Sequence, residues 1–332
     1  MSKDTMNDLD MPQPLDDDDR YLWDKSGPVD CDIEHLERKL HVLRYEGDAP
    51  QMRHGVRRRR IAPFAIAAVL TLAAGVTWMM FQPADTNGTW NVVAMKGTPT
   101  IDSVPLVGEG RLAVGDWLET DNNAQVRVEV ADIGDVTVHP NSRLRLLVSE
   151  ADKRHGLQLA RGSIEAFIFA PPRLFFVETA SAVAVDLGCH YMLQVDERGT
   201  GRLEVLSGWV SLEHDAIDSI VPRGGVCQTR AGIGPGTPYF KDTSDELVQA
   251  LVEFDFEDGG EDAMNVVLTR ARPRDTLTLW HLLSRVEGAQ REQVFDHISS
   301  FSPPPDDVTR DGVLRLDEQM LEDWWEALQA TW

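Results

Sequence analysis

Cysteine and histidine, residues that often act as nucleophile and base or as metal ligands, lie close together at two places in the 332-residue sequence. Cys189 and His190 are adjacent, but neighbouring side chains of a strand point to opposite faces, so these two cannot form a nucleophile–base pair. Cys31, His35 and His41 lack a fourth ligand and the Cys-x-x-Cys pair of structural zinc sites. We therefore expect neither a metal site nor catalytic residues at these positions.

Local motifs that mark common enzyme classes are missing. The sequence has no Gly-x-Ser-x-Gly elbow, no phosphate-binding glycine loop ending in Lys-Ser or Lys-Thr, and no His-Glu-x-x-His. The glycine-rich run 232–236 contains a proline and is typical of a connector. We expect a protein that is not an enzyme and has no cofactor, although a carboxylate pair assembled only by the fold would leave no local motif.

An uncharged stretch at 61–81 indicates a single transmembrane helix. Its twenty-one residues would extend roughly 30 Å as a helix, which is the thickness of a bilayer's hydrocarbon core. A basic flank precedes it (Arg57, Arg58, Arg59, Arg60), whereas 82–95 contains no Lys or Arg. The positive-inside tendency places the N-terminus in the cytoplasm and the larger C-terminal part outside. The alternatives are a buried core helix for the stretch and a nucleic-acid or nuclear-import patch for the arginines. A cleaved signal peptide is rejected, because it would begin near residue 1.

The net charge of −23 argues against a nucleic-acid partner. The charge is uneven: residues 1–50 carry a net −8 and residues 241–332 a net −13. Acidic ends of this kind keep a protein soluble or attract basic partner surfaces.

The region before the predicted span divides into an acidic tail and a short helical segment. Residues 1–20 have no apolar face to bury, which predicts disorder. Residues 21–56 contain one apolar stripe at helical spacing (Ile33, Leu36, Leu40, Leu43). So short a helix is marginal alone, so we expect the stripe to bind another protein, a second copy or the membrane surface, or to fold back on Tyr21 and Trp23.

The predicted topology separates the three cysteines. Cys31 falls on the cytoplasmic side and should remain a thiol, whereas Cys189 and Cys227 fall outside, where a disulfide can form. The sequence does not determine whether those two meet, so they are a candidate disulfide only.

After the span, residues 90–215 change to an alternating apolar pattern in short runs about ten residues apart. The runs are separated by Gly, Pro, Asn and Asp, which predicts a sandwich or barrel-like all-β domain. Residues 216–240 are rich in Gly and Pro and are interpreted as a connector. Residues 241–332 show helical spacing with N-caps at Ser244 and Asp317, which predicts a small α-helical C-terminal region. Its Trp324, Trp325 and Trp332 suit either a helical core or a binding surface.

Six motifs in the predicted β domain resemble the FecR domain in order and spacing. They are GDWLET at 115–120, DIGDVTV at 132–138 in place of an Asp-Gly-Ser hairpin, LQLARGSI at 157–164, FFVETA at 175–180, LGCHY at 187–191 and LEVLSGWV at 203–210. The sequence departs from the family pattern at Cys189 and His190, where Gly-Thr before an aromatic is usual. It also offers one helix in 21–56, not the three or four helices with a zinc motif of a full anti-sigma domain.

The resemblance implies a single-pass regulator of the bacterial inner membrane. Members of the family carry the β domain in the periplasm and act through a cytoplasmic segment on an extracytoplasmic-function sigma factor. We therefore expect three partners: the lipid bilayer, a cytoplasmic sigma factor, and an envelope or outer-membrane protein that supplies the signal. Two alternatives remain, a membrane-tethered periplasmic scaffold that binds envelope protein or polysaccharide without signalling, and a cell-wall hydrolase.

Overall fold

The computed structural model describes residues 88–149, 154–215 and 217–332. Three predicted regions lie outside the described residues: the tail 1–20, the helical segment 21–56 and the basic flank with its span at 57–81. Of the helices that are described, none combines the length and the apolar character needed to cross a bilayer.

Short strands fill residues 89–240, as the alternating pattern predicts. In chain order they are β1 (Thr89–Lys96), β2 (Thr100–Ile101), β3 (Val104–Pro105), β4 (Glu109–Ala113), β5 (Trp117–Glu119), β6 (Gln125–Val130), β7 (Gly134–Val138), β8 (Arg143–Ser149), β9 (Arg154–Ile168), β10 (Phe175–Glu178), β11 (Val183–Asp186), β12 (His190–Val195), β13 (Gly201–Ser207), β14 (Trp209–His214), β15 (Ile217–Pro222), β16 (Gly225–Arg230), β17 (Gly234–Pro235) and β18 (Tyr239–Phe240). The prediction of a mainly β fold is confirmed.

The strands form two sheets that share β9. The first sheet runs β4-β1-β6-β7-β9-β12-β13-β16, with β17 and β18 both paired to β16. The second runs β3-β2-β5-β8-β9-β10-β11-β14-β15, and in it β9 and β10 are parallel. Because β9 is fifteen residues long, its N-terminal half serves the second sheet and its C-terminal half the first.

Alternate side chains of these strands fill one core. In β6, for example, Val126, Val128 and Val130 are fully buried, whereas Arg127 between them is exposed. This period of two places one apolar row of each strand inside. Gly208, between β13 and β14, has a φ of +72°, which only glycine adopts without strain.

Six helices follow the strands, as the helical spacing of 241–332 predicts. They are α1 (Asp245–Phe256), α2 (Gly260–Arg270), α3 (Thr276–Arg285), α4 (Gly288–Phe301), α5 (Arg310–Leu314) and α6 (Glu318–Leu328). The predicted N-caps are present: Ser244 Oγ accepts from the N–H of Leu247 (3.4 Å), and Asp317 Oδ1 from that of Met320 (3.2 Å). The helices have their own core, which also includes Val226 and Tyr239 from the strands.

The predicted connector at 216–240 is wrong for the residues described there, which form β15 to β18. Val221, Val226 and Cys227 are fully buried. Gly224, with a φ of +77°, allows the tight turn between β15 and β16. The glycines and prolines therefore mark turns between very short strands, and their density conceals the apolar rows.

Buried polar contacts hold the helices against these last strands. Arg285 of α3 donates from Nη2 to Ser219 Oγ (2.7 Å) and to the carbonyl of Gly236 (3.1 Å). Its Nη1 lies 3.6 Å from Oδ1 of Asp255 in α1, and Asp255 Oδ2 accepts from the N–H of Thr237 (2.6 Å). The ion pair between α1 and α3 is thus hydrogen-bonded to β15 and to the residues just after β17, and the C-terminal helices are an integral part of this unit.

His281 of α3 makes a second buried link. Its Nε2 accepts from the backbone N–H of Ile220 in β15 (3.1 Å), and its Nδ1 lies 2.9 Å from the carbonyl of Leu277. These partners require the neutral tautomer with the proton on Nδ1. Burial lowers the pKa of His281 to about 3, so the ring is neutral in the folded protein at neutral pH.

Candidate functional site

Two groups of predicted site residues lie outside the described residues. They are the topology-determining arginines (Arg57, Arg58, Arg59, Arg60) and the partner-binding stripe (Ile33, Leu36, Leu40, Leu43). Both remain predictions.

The candidate disulfide between Cys189 and Cys227 is wrong, since both are free and buried. Cys189 Sγ donates to Oδ2 of Asp186 (2.5 Å), and Cys227 Sγ to the carbonyl of Gly236 (3.2 Å). Burial raises the pKa of the Cys227 thiol to about 12 and that of Cys189 above its ordinary value. Each thiol therefore remains protonated at neutral pH and acts as a small core residue that donates a hydrogen bond.

The departure from the family pattern at Cys189 lies in a buried turn. Asp186 is 1% exposed, and its Oδ1 accepts from the N–H of Gly188 (2.7 Å). Burial raises the pKa of this carboxyl. As predicted, the two neighbours diverge: Cys189 points inward to Asp186, and His190 points outward to Glu165.

His190 of β12 belongs to a group of outward side chains with Glu165 of β9 and His139, the residue that follows β7. Its Nε2 lies 2.7 Å from Oε1 of Glu165, and the other oxygen of Glu165 lies 3.9 Å from Nε2 of His139. Phe167 is opposite His190 in the β9–β12 register, and their rings meet edge to face with centroids 5.5 Å apart. The carboxylate of Glu165 therefore lies between the imidazoles of His190 and His139, and the ring of His190 contacts that of Phe167.

Exposed apolar side chains continue this surface. Phe167 and Phe169 are 52% and 64% exposed, with ring centroids 6.3 Å apart. Leu206 is the extra residue of a bulge opposite His190, and it is also exposed. We call Glu165, Phe167, Phe169, His190 and Leu206 the aromatic surface. Paired exposed phenylalanines beside charged groups are typical of a protein-binding patch.

The aromatic surface was not among the residues singled out from the sequence, although a signal for it exists. Ile164, Ala166 and Ile168 alternate inward, so Phe167 and Phe169 must face outward. Their proximity to His190 depends on the pairing of β9 with β12, which local sequence does not reveal.

The three tryptophans of the last helical segment divide between core and surface. Trp324 is fully buried. Trp325 and Trp332 are half-buried and contact Trp209 of β14, with ring centroids 5.9 and 6.0 Å apart. The ring centroids of Trp280 in α3 and Trp325 are 4.4 Å apart. Trp325 and Trp332 therefore fix the end of the chain to the β strands, and Trp324 is a core residue.

Among the described residues, no group of three or more His, Cys, Asp and Glu side chains is placed to hold a metal ion. The pairs Cys189–Asp186 and His190–Glu165 occupy opposite sides of the strand layer and do not form one site. The arrangement supports recognition of a partner by the aromatic surface better than a chemical step.

No curated protein matches the chain. Two crystal structures of a proposed anti-sigma factor from Parabacteroides distasonis ATCC 8503, at 1.65 and 2.50 Å resolution, match with 13% identity and a TM-score of 0.33. The match covers 41% of this chain and 64% of those chains, which is less than two thirds of their length.

The family match covers strands β5 to β13 and the start of β14. Residues 116–211 match the sequence model of the FecR protein family. This range contains five of the six motifs identified above in full, and the sixth, GDWLET, except for its first glycine. Residues 116–211 of this chain therefore match the FecR domain, as the order of the motifs predicts.

Proposed function

We propose that this chain is a single-pass membrane regulator that receives an envelope signal through its FecR domain and transmits it to a cytoplasmic sigma factor. The observation that carries the proposal is the FecR domain at 116–211, which follows an uncharged stretch at 61–81. The proposal assigns the protein no catalytic step.

The proposed topology places the N-terminus in the cytoplasm and the FecR domain in the periplasm, with the chain anchored in the inner membrane. It is supported by the four consecutive arginines at 57–60 and by the lack of Lys and Arg at 82–95. The acidic C-terminal region would then be periplasmic together with the strands to which it is packed.

On the periplasmic side, we assign partner binding to the aromatic surface. Phe167 and Phe169 expose apolar area that water solvates poorly, and a partner that covers both rings would gain from their burial. His190 and Glu165 add a polar edge that can give orientation. An envelope or outer-membrane protein is the kind of partner that fits.

On the cytoplasmic side, we assign sigma-factor binding to the stripe Ile33, Leu36, Leu40 and Leu43. One amphipathic helix can dock its apolar face into a groove of a folded partner. This interaction would need no second helix of the chain.

The cytoplasmic half of the proposal is tested by recovery of a sigma factor with the tagged full-length chain from membranes of cells that make both. Leu36→Asp with Leu40→Asp should abolish recovery, whereas Glu37→Gln in the same segment should not. Failure to recover any sigma factor, or equal recovery with both variants, would contradict the assignment.

The periplasmic half is tested by crosslinking of the full-length chain to envelope proteins in intact cells, with a sigma-dependent reporter as the second readout. Phe167→Ser with Phe169→Ser should reduce the crosslinked product and the reporter response at least tenfold, because loss of a hot spot costs about 2 kcal/mol or more. Val107→Ser is the matched control, since Val107 is 83% exposed and lies outside the aromatic surface. A crosslink that persists with a silent reporter in every variant would favour a scaffold without signalling.

A further inference from the structure

A basic patch covers part of the second sheet, although the chain as a whole carries a net charge of −23. Four arginines and two aromatic residues face outward from β5, β8, β9 and β10; we call Trp117, Arg143, Arg145, Arg154, Arg161 and Phe176 the arginine face. Among the described residues of these four strands, two acids face the same way, Glu119 and Glu178, so the arginines outnumber the acids there. Such a surface attracts anions.

The arginines of this face lie over aromatic rings. The guanidinium carbons of Arg143 and Arg145 are 4.1 and 5.1 Å from the ring centroid of Trp117, and that of Arg154 is 5.3 Å from the ring of Phe176. A guanidinium group over an aromatic ring is attracted to the ring and can also donate hydrogen bonds to phosphate oxygens.

Glu119, one of the two acids on this face, does not fully neutralise the arginines beside it. Glu119 approaches Arg143 at 3.5 Å and Arg161 at 3.6 Å, distances that are longer than a good charge-assisted hydrogen bond. All three side chains are between 37% and 40% exposed, so water or a ligand can reach them. Arg143 and Arg161 therefore share the one carboxylate of Glu119 at the surface.

The chain enters the β domain beside the arginine face. Gly88, the first described residue, accepts at its carbonyl from the N–H of Val114 (3.0 Å). Val114 in turn forms an isolated bridge with Leu146 of β8, the residue next to Arg145. The point where the chain arrives and the basic patch are therefore neighbours.

Few residues of the chain separate this point from the end of the proposed membrane span. Only residues 82–88 join the end of the predicted span to the first strand. Even fully extended, seven residues reach about 25 Å. If the span is as proposed, this tether limits how far Gly88 can move from the membrane, so even a weak attraction between the bilayer and a face beside Gly88 acts at a high effective concentration.

We propose that the arginine face binds the phosphate groups of anionic lipids on the periplasmic surface of the membrane that anchors the chain. The inference rests on the proposed span. It is carried by the charge of the face, the interleaved aromatic rings typical of membrane interfaces, and the length and attachment point of the tether. The aromatic surface lies on the other sheet, on the C-terminal half of β9, and remains available to a partner.

The test uses the full-length chain in lipid discs of phosphatidylcholine alone or of equal parts phosphatidylcholine and phosphatidylglycerol. Phenylglyoxal modification of each arginine is followed by mass spectrometry. Arg143, Arg145 and Arg161 should react several-fold more slowly in the anionic discs, and salt should remove the difference. Arg111 and Arg127, exposed on the first sheet, should react equally in both discs.

A variant pair separates binding from general effects. Arg143→Gln with Arg145→Gln should restore Arg161 modification in anionic discs toward its rate in neutral discs, since each lost arginine weakens such binding about fivefold. The matched control, Arg111→Gln with Arg127→Gln, should leave the protection of Arg161 unchanged. Circular dichroism of both variants checks that the strands remain folded.

Three results would overturn the inference. Equal reaction rates in the two kinds of disc would show that lipid charge has no effect on the face. Protection in neutral discs by added inorganic phosphate or by an acidic peptide, without any effect of phosphatidylglycerol, would assign the face to a soluble anion or to a protein. Release of the chain from cell membranes by alkaline carbonate would overturn the proposed span and with it the tether, whereas retention without lipid-dependent protection would overturn the lipid inference alone.

Discussion

Acidification should weaken the link between α3 and β15 through His281. The folded protein holds this ring neutral because burial lowers its pKa to about 3, whereas the ordinary value is 6.5. A group with a lowered folded pKa contributes stability above its unfolded pKa and loses it as the pH falls. Between pH 7 and pH 5 the unfolded chain takes up a proton at this position that the folded chain does not. Linkage gives a loss of about 2 kcal/mol from this one histidine.

The assay is urea unfolding of the full-length chain in detergent, followed by tryptophan fluorescence at pH 7, 6 and 5. Other groups also titrate in this range, so the informative quantity is the difference between the wild type and His281→Gln. The variant loses some stability at every pH because packing and the bond from Ile220 change, but its stability should fall about 2 kcal/mol less between pH 7 and pH 5. An identical fall in the two proteins would refute the assignment of a neutral, buried His281.

Two further predictions concern the same unit. Arg285→Ala leaves Asp255 buried without its cation and should lower the free energy of unfolding by about 3–5 kcal/mol at pH 7. Burial already raises the pKa of Asp255 above 3.8, and loss of the arginine raises it further, so urea unfolding should show a smaller loss of stability at pH 5. An equal loss at both pH values would contradict this prediction. Gly208→Ala forces a φ of +72° on a residue with a Cβ, and that Cβ would lie 2.1 Å from the carbonyl oxygen of Gly188. The free energy of unfolding should fall by about 2–4 kcal/mol in the same assay. An unchanged unfolding midpoint would show that this turn can relax.

Local sequence predicted the strands and helices whose signals are periodic. The row Val126, Val128, Val130 and the caps Ser244 and Asp317 each follow from residues within a few positions of one another. The same logic fails at 217–240, where strands of two to six residues are too short for a periodic signal. In that segment, pairing with β13 and packing against the helices determine the structure.

The two proposed surfaces depend on pairing between distant segments. Alternation with Ile164, Ala166 and Ile168 determines that Phe167 faces outward, but its neighbour His190 arrives from another strand. Arg145 likewise meets Trp117 only because β5 pairs with β8. Sequence alone therefore predicts which side chains are outside, and the sheet register determines which of them become neighbours.

Strand β9 has a consequence for how the domain folds. It pairs with β7 and β12 in one sheet and with β8 and β10 in the other, so neither sheet can close before β9 is placed in both. The β strands should therefore fold and unfold as one cooperative unit, limited by contacts far apart in sequence. A fragment cut at residues 116 and 211 would lack β1, which pairs with β6, and β16, which pairs with β13. The smallest autonomous piece is therefore larger than the part of the chain that the family shares.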